Sequence, residues 1–247
     1  MTFQHFLLTN FNVRLPKFSQ DGNGMPVLTE EWLEHRLILF ERFCLPSVLG
    51  QTNLGFTWLV RYDDAMPGAR GRLQRYAGFA NLRVVPADLK FREVIPALLL
   101  PGTEYVVTTR LDNDDALHRE AIADIQACVE PRKAEFLNFT FGYRYTAADG
   151  RATRKENRSN AFLTLVERVT DAPLHTVRRV DHRHASQLAP VRQIGTEPRW
   201  MYVVHDRNLV TRTVRPAPVS ENPLRAFNLG PYARQLLSRC IADSTER

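Results

Sequence analysis

Short runs of apolar and β-branched residues alternate with helical patterns through the first half of the chain. Four such runs predict strands, at residues 5–12, 56–62, 82–86 and 105–111. Apolar side chains at helical spacing predict helices at residues 29–44, 47–52, 70–77, 91–100 and 116–129. Pro46 is expected to interrupt the first helical pattern. This alternation predicts an α/β fold with a mostly parallel sheet and helices on both faces.

The pattern becomes irregular after about residue 135. Residues 136–145 and 200–205 are strand-like, and Asp149-Gly150 predicts the turn of a hairpin. Residues 151–158 are highly polar and are interpreted as a mobile segment. Residues 216–223 are typical of a linker, and residues 224–241 contain a terminal helix.

An acidic run follows the fourth predicted strand directly. Asp112, Asp114 and Asp115 place three carboxylates within four residues, with Asn113 between them. Such charges repel, and hard divalent cations prefer carboxylate oxygens. The carboxyl end of a buried strand is also where α/β sheets bind ligands. The run therefore predicts a cation site that handles phosphates, although Asp114 or Asp115 could instead begin the helix after it.

A second acidic pair, Asp63-Asp64, ends the second predicted strand. An acid at this position binds ribose hydroxyls in dinucleotide folds, whereas the alternative is an ordinary turn. Neither a GxGxxG nor a GxxxxGK[ST] segment follows the first strand, so a Rossmann cofactor site and a P-loop are not supported.

Composition and charge narrow the partners only slightly. The chain has 247 residues, and 33 basic against 27 acidic side chains give a net charge of +6, which suits an anionic ligand or a membrane surface. No recognised nucleic-acid motif is present, so nucleic acid is the least expected partner. No apolar run approaches the roughly 20 residues of a membrane span. Three widely spaced cysteines, Cys44, Cys128 and Cys240, suit a reducing compartment. We expect a cytoplasmic protein, with peripheral contact at the inner membrane face left open.

Three pieces in order carry a family resemblance. Residues 46–52, 56–64 and 111–117 resemble the first half of an inverting family-two glycosyltransferase of the GT-A fold. Arg36, Phe40-Glu41, residues 109–115 and a late Trp…His-x-x-Asn segment look similar to a bacterial rhamnosyltransferase group. The resemblance implies a GT-A-type catalytic domain over residues 1–215. Residues 1–130 would bind the nucleotide sugar, residues 131–215 the acceptor, and residues 216–247 would form a linker and C-terminal helix.

The resemblance also implies site residues. Mn²⁺ or Mg²⁺ would be held by Asp112, Asp114, Asp115 and His205. The donor would be contacted by Thr9, Asn10, Phe11, Arg14, Asp63, Asp64, Arg110, Asp112, Asn113 and Arg207, with Arg212 an alternative at the diphosphate. Phe11 would stack on the base, or would be a core aromatic.

The acceptor side matches the family less well. Asp181 falls where the family carries Glu-Asp and its catalytic base, but here the segment is Val180-Asp181-His182. His184 is the competing base, and Asp181 could equally be a surface acid among arginines.

The function implied is a metal-dependent inverting transfer of a sugar, rhamnose among the candidates, in bacterial surface glycan synthesis. The donor would be a dTDP- or UDP-linked sugar and the acceptor a glycan or a lipid-linked glycan. The alternatives are a GT-A-like nucleotide-binding protein without transfer activity and a metal-dependent nucleotidyltransferase.

Overall fold

The computed structural model describes residues 1–14, 19–76, 78–79, 81–131, 134–195, 197–208 and 222–233. The strands are β1 Phe3–Asn10, β2 Thr57–Tyr62, β3 Leu82–Pro86, β4 Tyr105–Arg110, β5 Ala116–Leu117, β6 Ala134–Phe139, β7 Phe141–Thr146, β8 Arg151–Glu156, β9 Thr164–Arg168, β10 Val191–Ile194 and β11 Trp200–Val204. The α-helices are α1 Glu30–Leu39, α2 Leu45–Leu49, α3 Ala69–Gln74, α4 Phe91–Val94 and α5 Ala121–Ala127. A π-helical turn spans Phe40–Cys44, and 3₁₀ helices span Ile95–Leu98, His182–Gln187 and Pro223–Phe227.

Seven of the described strands form the larger sheet, in the order β10-β6-β9-β4-β1-β2-β3. The pairs β1–β2, β1–β4, β2–β3 and β6–β10 are parallel, and β9 runs antiparallel to both β4 and β6. Register places Asn10 of β1 opposite Arg61 of β2, and Leu8 of β1 opposite Arg110 of β4. The carboxyl ends of β1, β2 and β4 therefore meet at one edge of the sheet. The predicted fold class is confirmed.

Both faces of the larger sheet are covered, which explains why β1 is apolar at successive positions. Leu7 belongs to a core cluster that includes α1 and α2, whereas Phe6 and Leu8 belong to a cluster on the opposite face. That second cluster contains Phe91 and Ile95 from α4 and the 3₁₀ turn after it. The helices thus lie on both faces of the sheet, as predicted.

A smaller sheet has the order β5-β11-β7-β8 among the described strands. β11 is parallel to β7 and antiparallel to β5, and β7 and β8 form an antiparallel hairpin. Trp200 of β11 lies directly opposite Gly142 of β7 and stacks on Phe162, with ring centroids 5.3 Å apart. Its indole Nε1 donates to the carbonyl of Phe139 over 2.7 Å. The indole therefore ties the smaller sheet to the end of β6 in the larger one.

The first helical region is continuous where an interruption was predicted. The Thr29 side chain caps α1 by accepting from the Trp32 N–H over 3.1 Å. The chain then passes through the π-helical turn into α2, where Pro46 occupies the first turn. Pro46 has no N–H to donate to the preceding turn, and the chain changes there from π-helical to α-helical spacing without leaving the helix.

Four further element predictions need correction. Ala116–Leu117 begins no helix but forms β5, and α5 starts at Ala121. Residues 136–145 are two strands in different sheets, separated at Thr140. Residues 151–158, interpreted from sequence as mobile, contain β8. In the C-terminal segment, the 3₁₀ helix Pro223–Phe227 is followed by a break and then by helical residues 231–233, and residues 234–241 of the predicted helix lie outside the described residues.

Within the described ranges, no helix combines the length and the apolar character needed to cross a membrane.

The approach of Trp200 to Gly142 yields a stability prediction. A Cβ at position 142 would overlap the indole of Trp200, whereas a Cβ at Gly71 in α3 would meet no atom within 4 Å. Gly142→Ala should therefore lower the free energy of unfolding by about 1–3 kcal/mol, the usual range for overpacking. Gly71→Ala, the matched control, should raise it by about 0.5–1 kcal/mol because glycine is a poor helix former. Urea denaturation measures both, and equal effects of the two substitutions would contradict this packing.

Candidate functional site at the carboxyl edge of the larger sheet

The acidic run joins the two sheets. It leaves β4 at Arg110 and enters β5 at Ala116, and β5 pairs with β11 of the smaller sheet. The run therefore crosses from one sheet to the other at the edge where β1, β2 and β4 end. Its four polar side chains point to different partners.

Asp112 is held by two guanidinium groups. Arg110 donates from Nε and Nη2 to the two carboxylate oxygens, over 3.2 and 2.5 Å, and Arg178 donates from Nη2 over 3.1 Å. Burial alone would raise the pKa of Asp112, but these two positive charges and their hydrogen bonds bring it well below its ordinary value. Burial lowers the pKa of Arg178 to about 10, so both partners are charged at neutral pH.

Asn113 and Asp114 share the guanidinium of Arg36 from α1. Arg36 donates to Asn113 Oδ1 and, over 3.0 Å, to Asp114 Oδ2. The same Asp114 oxygen lies 3.0 Å from Nε2 of His205, just after β11. Burial raises the pKa of Asp114, whereas the Arg36 charge and the His205 hydrogen bond lower it, and the net direction is downward. The structure thus brings together two of the predicted metal ligands, Asp114 and His205.

Asp115 faces the smaller sheet. Its Oδ1 accepts the backbone N–H of Val203 in β11 over 2.9 Å, and the residue is 2% exposed. Burial, with the nearby charges of Asp114 and Asp112, raises its pKa well above the ordinary value. This is a structural position, so the prediction that Asp115 is a metal ligand is not supported.

Arginines offset the charge of the run. The guanidiniums of Arg36, Arg110 and Arg178 meet the carboxylates of Asp112 and Asp114, while Asp115 favours its protonated form. The sequence argument that these charges must be offset is met here by guanidinium groups, and the cation stays a prediction. A cation at this edge needs a different reason.

His205 has a fixed ring orientation. Its Nδ1 accepts the Arg207 N–H over 3.2 Å, which leaves Nε2 facing Asp114. His35 of α1 and Asp206 bring further ligand atoms, and those of His35, His205 and Asp206 lie within 4.8 Å of one another. Because Nδ1 is already hydrogen bonded, His205 offers its second nitrogen to Asp114 rather than to this group.

Two predicted donor contacts at the end of β1 belong to the core. Thr9 is fully buried, and its hydroxyl accepts from Trp58 Nε1 over 2.9 Å. Phe11 is 4% exposed and packs edge-on against Phe40, with centroids 5.4 Å apart, so it cannot stack on a base. Asn10 differs, because its Oδ1 is buried without a hydrogen-bond partner among the described residues. Arg14 is exposed.

Asp63 and Asp64 lie at the carboxyl end of β2, at the predicted edge. Asp63 caps a turn, its Oδ1 accepting the Ala65 N–H over 2.9 Å, and its own N–H donates to Asn12 over 3.0 Å. Asp64 is exposed and hydrogen bonded to the Tyr62 hydroxyl. The alternative of an ordinary turn therefore applies to Asp63. Both side chains lie at the same edge of the sheet as the acidic run.

Arg207 is not available to a diphosphate. Its guanidinium is buried, donates to Asp21 Oδ2 over 3.0 Å, and lies 5.3 Å from the ring centroid of Trp32. It anchors the loop before α1, and its predicted donor contact is corrected accordingly. Arg212 lies outside the described residues.

The predicted bases lie on a 3₁₀ helix. Asp181 caps it and binds Arg183 through both carboxylate oxygens, at 2.9 and 3.1 Å. This hydrogen-bonded pair, more than the desolvation that opposes it, lowers the pKa of Asp181. His184 is exposed, and its ring contacts Gln187. His182, which the sequence analysis did not select, is half-buried and faces Ser159.

The family model described as "Putative rhamnosyl transferase" matches residues 23–217. The chain belongs to this family.

The family description names a sugar transferase. The matched span contains the acidic run, Arg36, Arg178, the 3₁₀ helix and His205. A comparison with curated proteins found no match.

Solved structures offer distant likenesses. S. aureus TarS residues 1–349, in complex with UDP-GlcNAc, is 13% identical with a TM-score of 0.49, over 85% of this chain and 60% of that one. The chain therefore spans less than two thirds of TarS. Rv0371c of M. tuberculosis H37Rv, in complex with manganese, is 11% identical with a TM-score of 0.35, over 82% and 91% of the two chains. These likenesses are too distant to assign a ligand to this rhamnosyl transferase family member.

The contact between Arg36 and Asp114 yields a prediction. Both side chains are about nine-tenths buried, and losing one partner would leave a buried charge unpaired. Arg36→Met should lower the free energy of unfolding by about 3–5 kcal/mol. Adding Asp114→Asn to it should cost less than the two separate losses together, because the orphaned charge is removed. Urea denaturation without metal measures all three variants.

The exposed pair Arg75 and Glu41 supplies the control. Arg75→Met should cost no more than about 1 kcal/mol, as for surface ion pairs. Strict additivity of the Arg36 and Asp114 substitutions would show that the two side chains do not interact.

Proposed function

We propose that this glycosyltransferase moves a sugar, rhamnose being the first candidate, from a nucleotide-diphosphate donor to a hydroxyl acceptor with inversion. The donor is a dTDP- or UDP-linked sugar and the acceptor a glycan or lipid-linked glycan. One observation carries the proposal. In this chain, which belongs to the family, Asp114 and His205 are in contact at the carboxyl edge of the parallel strands, where α/β sheets bind their ligands.

The donor set fits a divalent cation. A carboxylate oxygen and an imidazole nitrogen suit Mn²⁺, and Mg²⁺ to a lesser degree. The two atoms lie 3.0 Å apart, and Nε2 carries the proton between them because Nδ1 accepts the Arg207 N–H, so binding of an ion would displace that proton. Asp114 and His205 would hold the ion together with the donor phosphates. When bound, it offsets the charge that develops on the departing nucleotide diphosphate.

The chain's own residues position the donor. Arg110 and Arg178 orient Asp112 and compensate its charge. We therefore propose that Asp112 binds a hydroxyl group of the nucleotide sugar rather than the cation. The Oδ1 of Asn10 is buried and accepts no hydrogen bond from the described residues. An N–H or hydroxyl group of the nucleotide sugar would supply that hydrogen bond. Asp63 and Asp64 remain proposed contacts to the nucleoside.

The proposal makes Asp114 the residue to test. Asp114→Asn should remove the Mn²⁺-dependent thermal shift given by nucleotide-diphosphate sugars and lower sugar transfer by about 10²- to 10³-fold, because a charge contact made in the transition state is lost. Asp149→Asn, at an exposed hairpin turn, is the control and should leave both unchanged. A panel of dTDP- and UDP-sugars, assayed for nucleoside diphosphate release and sugar transfer, supplies the readout.

The outcomes separate the alternatives. Undiminished Mn²⁺-dependent transfer by Asp114→Asn would contradict the cation site. Release of pyrophosphate would indicate a nucleotidyltransferase. Donor binding without transfer or nucleoside diphosphate release across the panel would indicate a binding protein.

A further inference from the structure

His182 has a fixed tautomer. Its Nδ1 lies 2.6 Å from the carbonyl oxygen of Ser159, and a carbonyl can only accept. Nδ1 therefore carries the proton, and Nε2 keeps its lone pair. The nearest carboxylate oxygen, on Asp181, is 3.9 Å from Nε2, too far for a hydrogen bond.

The surrounding loop fixes the position of His182. The Ser159 hydroxyl donates to the His182 carbonyl over 2.8 Å, so Ser159 holds both the ring and the backbone. The next residue, Asn160, is buried and anchors the loop by donating to the Phe139 carbonyl over 2.8 Å. A base needs such preorganisation, because its reach to a proton must be set before reaction.

The charged groups around His182 link it to the donor edge. Burial lowers the pKa of His182, the hydrogen bond to Ser159 and the charge of Asp181 raise it, and the charges of Arg110 and Arg183 lower it, so that the net direction is downward. Arg110 is the residue that binds Asp112 through both carboxylate oxygens. The field of one guanidinium thus acts on both the donor-side carboxylate and this imidazole. His182 is neutral at neutral pH, in the state that can accept a proton.

The neighbouring candidates are less suited. Both carboxylate oxygens of Asp181 are bound by Arg183, which lowers its pKa and makes it a weak base. The His184 ring is exposed and faces Gln187. Of the three, His182 combines partial burial, a locked ring and an unprotonated nitrogen.

We propose that His182 is the general base of the transfer reaction. This inference rests on the proposed function. The acceptor hydroxyl oxygen forms a bond to the anomeric carbon as the bond from that carbon to the diphosphate oxygen breaks. The bonding electron pair leaves with the nucleoside diphosphate, and the hydroxyl proton passes to His182 Nε2. The imidazolium then returns the proton to solvent.

The test is His182→Asn, because the asparagine amide keeps a donor near the Nδ1 position for the Ser159 carbonyl and lacks Nε2. Transfer should fall by about 10²- to 10⁴-fold, the usual contribution of a positioned base. The donor KM and the Mn²⁺-dependent thermal shift should stay unchanged. Wild-type kcat/KM should fall with acidity along a limb whose midpoint lies below pH 6.5, and this limb should be absent in His182→Asn.

His184→Asn and Asp181→Asn are matched controls on the same helix, and each should retain transfer within about tenfold. Added imidazole should restore part of the transfer lost in His182→Ala, which a purely structural role would not allow.

Three results would overturn the inference. They are a His182→Asn protein with transfer within tenfold of wild type, a larger loss in Asp181→Asn than in His182→Asn, and no imidazole rescue of a folded His182→Ala. An inactive wild type overturns the proposed function and the base assignment together, whereas the three results above leave the proposed function intact.

Discussion

The partly exposed carboxylate of Asp112 and the buried carboxylate of Asp114 are stabilised at the end of β4 by guanidinium groups from three parts of the chain. Arg36 comes from α1, Arg110 from β4 itself, and Arg178 from the segment before the 3₁₀ helix. Removing one member of such a set leaves a charge in a poorly solvated place, which costs several kcal/mol. The positions of α1, β4 and the segment before the 3₁₀ helix His182–Gln187 are therefore coupled through one electrostatic cluster.

The acidic run is also the junction between the two sheets, and its residues therefore contact different parts of the structure. Arg178 donates to Asp112 on the side of the larger sheet, and Asp115 accepts a backbone N–H of β11 in the smaller sheet. Asp114 lies between them and reaches His205, which follows β11. A site built at such a junction inherits rigidity from both sheets. Preorganised groups of this kind can stabilise developing charge without rearranging when the reaction occurs.

Sequence patterns predicted the elements whose burial is uniform. Strands β1 to β4 are covered on both faces, so their apolar runs are unmistakable, and the acidic run could be placed at the end of β4. The two-residue β5 and the division between β6 and β7 could not be predicted, because pairing with distant strands decides them.

The site followed the same rule. The location of the acids is a property of sequence, but which long side chains reach them is a property of tertiary structure. Arg178 was not selected from sequence, yet it binds Asp112, while Arg207 was expected at a diphosphate and instead binds Asp21. Thr9 lies in the core, and Phe11 takes the core position that was its alternative, because alternate side chains of a strand face the same side.

The charge balance changes the reason for expecting a cation. Three guanidiniums face the three carboxylates of the run, and burial raises the pKa of Asp115, so the cluster has no excess of negative charge to attract an ion. A nucleotide-diphosphate donor brings at least two negative charges to the same edge. Arg36 would have to share Asp114 with the ion, which is favourable only once those phosphates supply further ligands. Under the proposed function, the cation would therefore bind together with the donor, and the protein alone would hold it weakly.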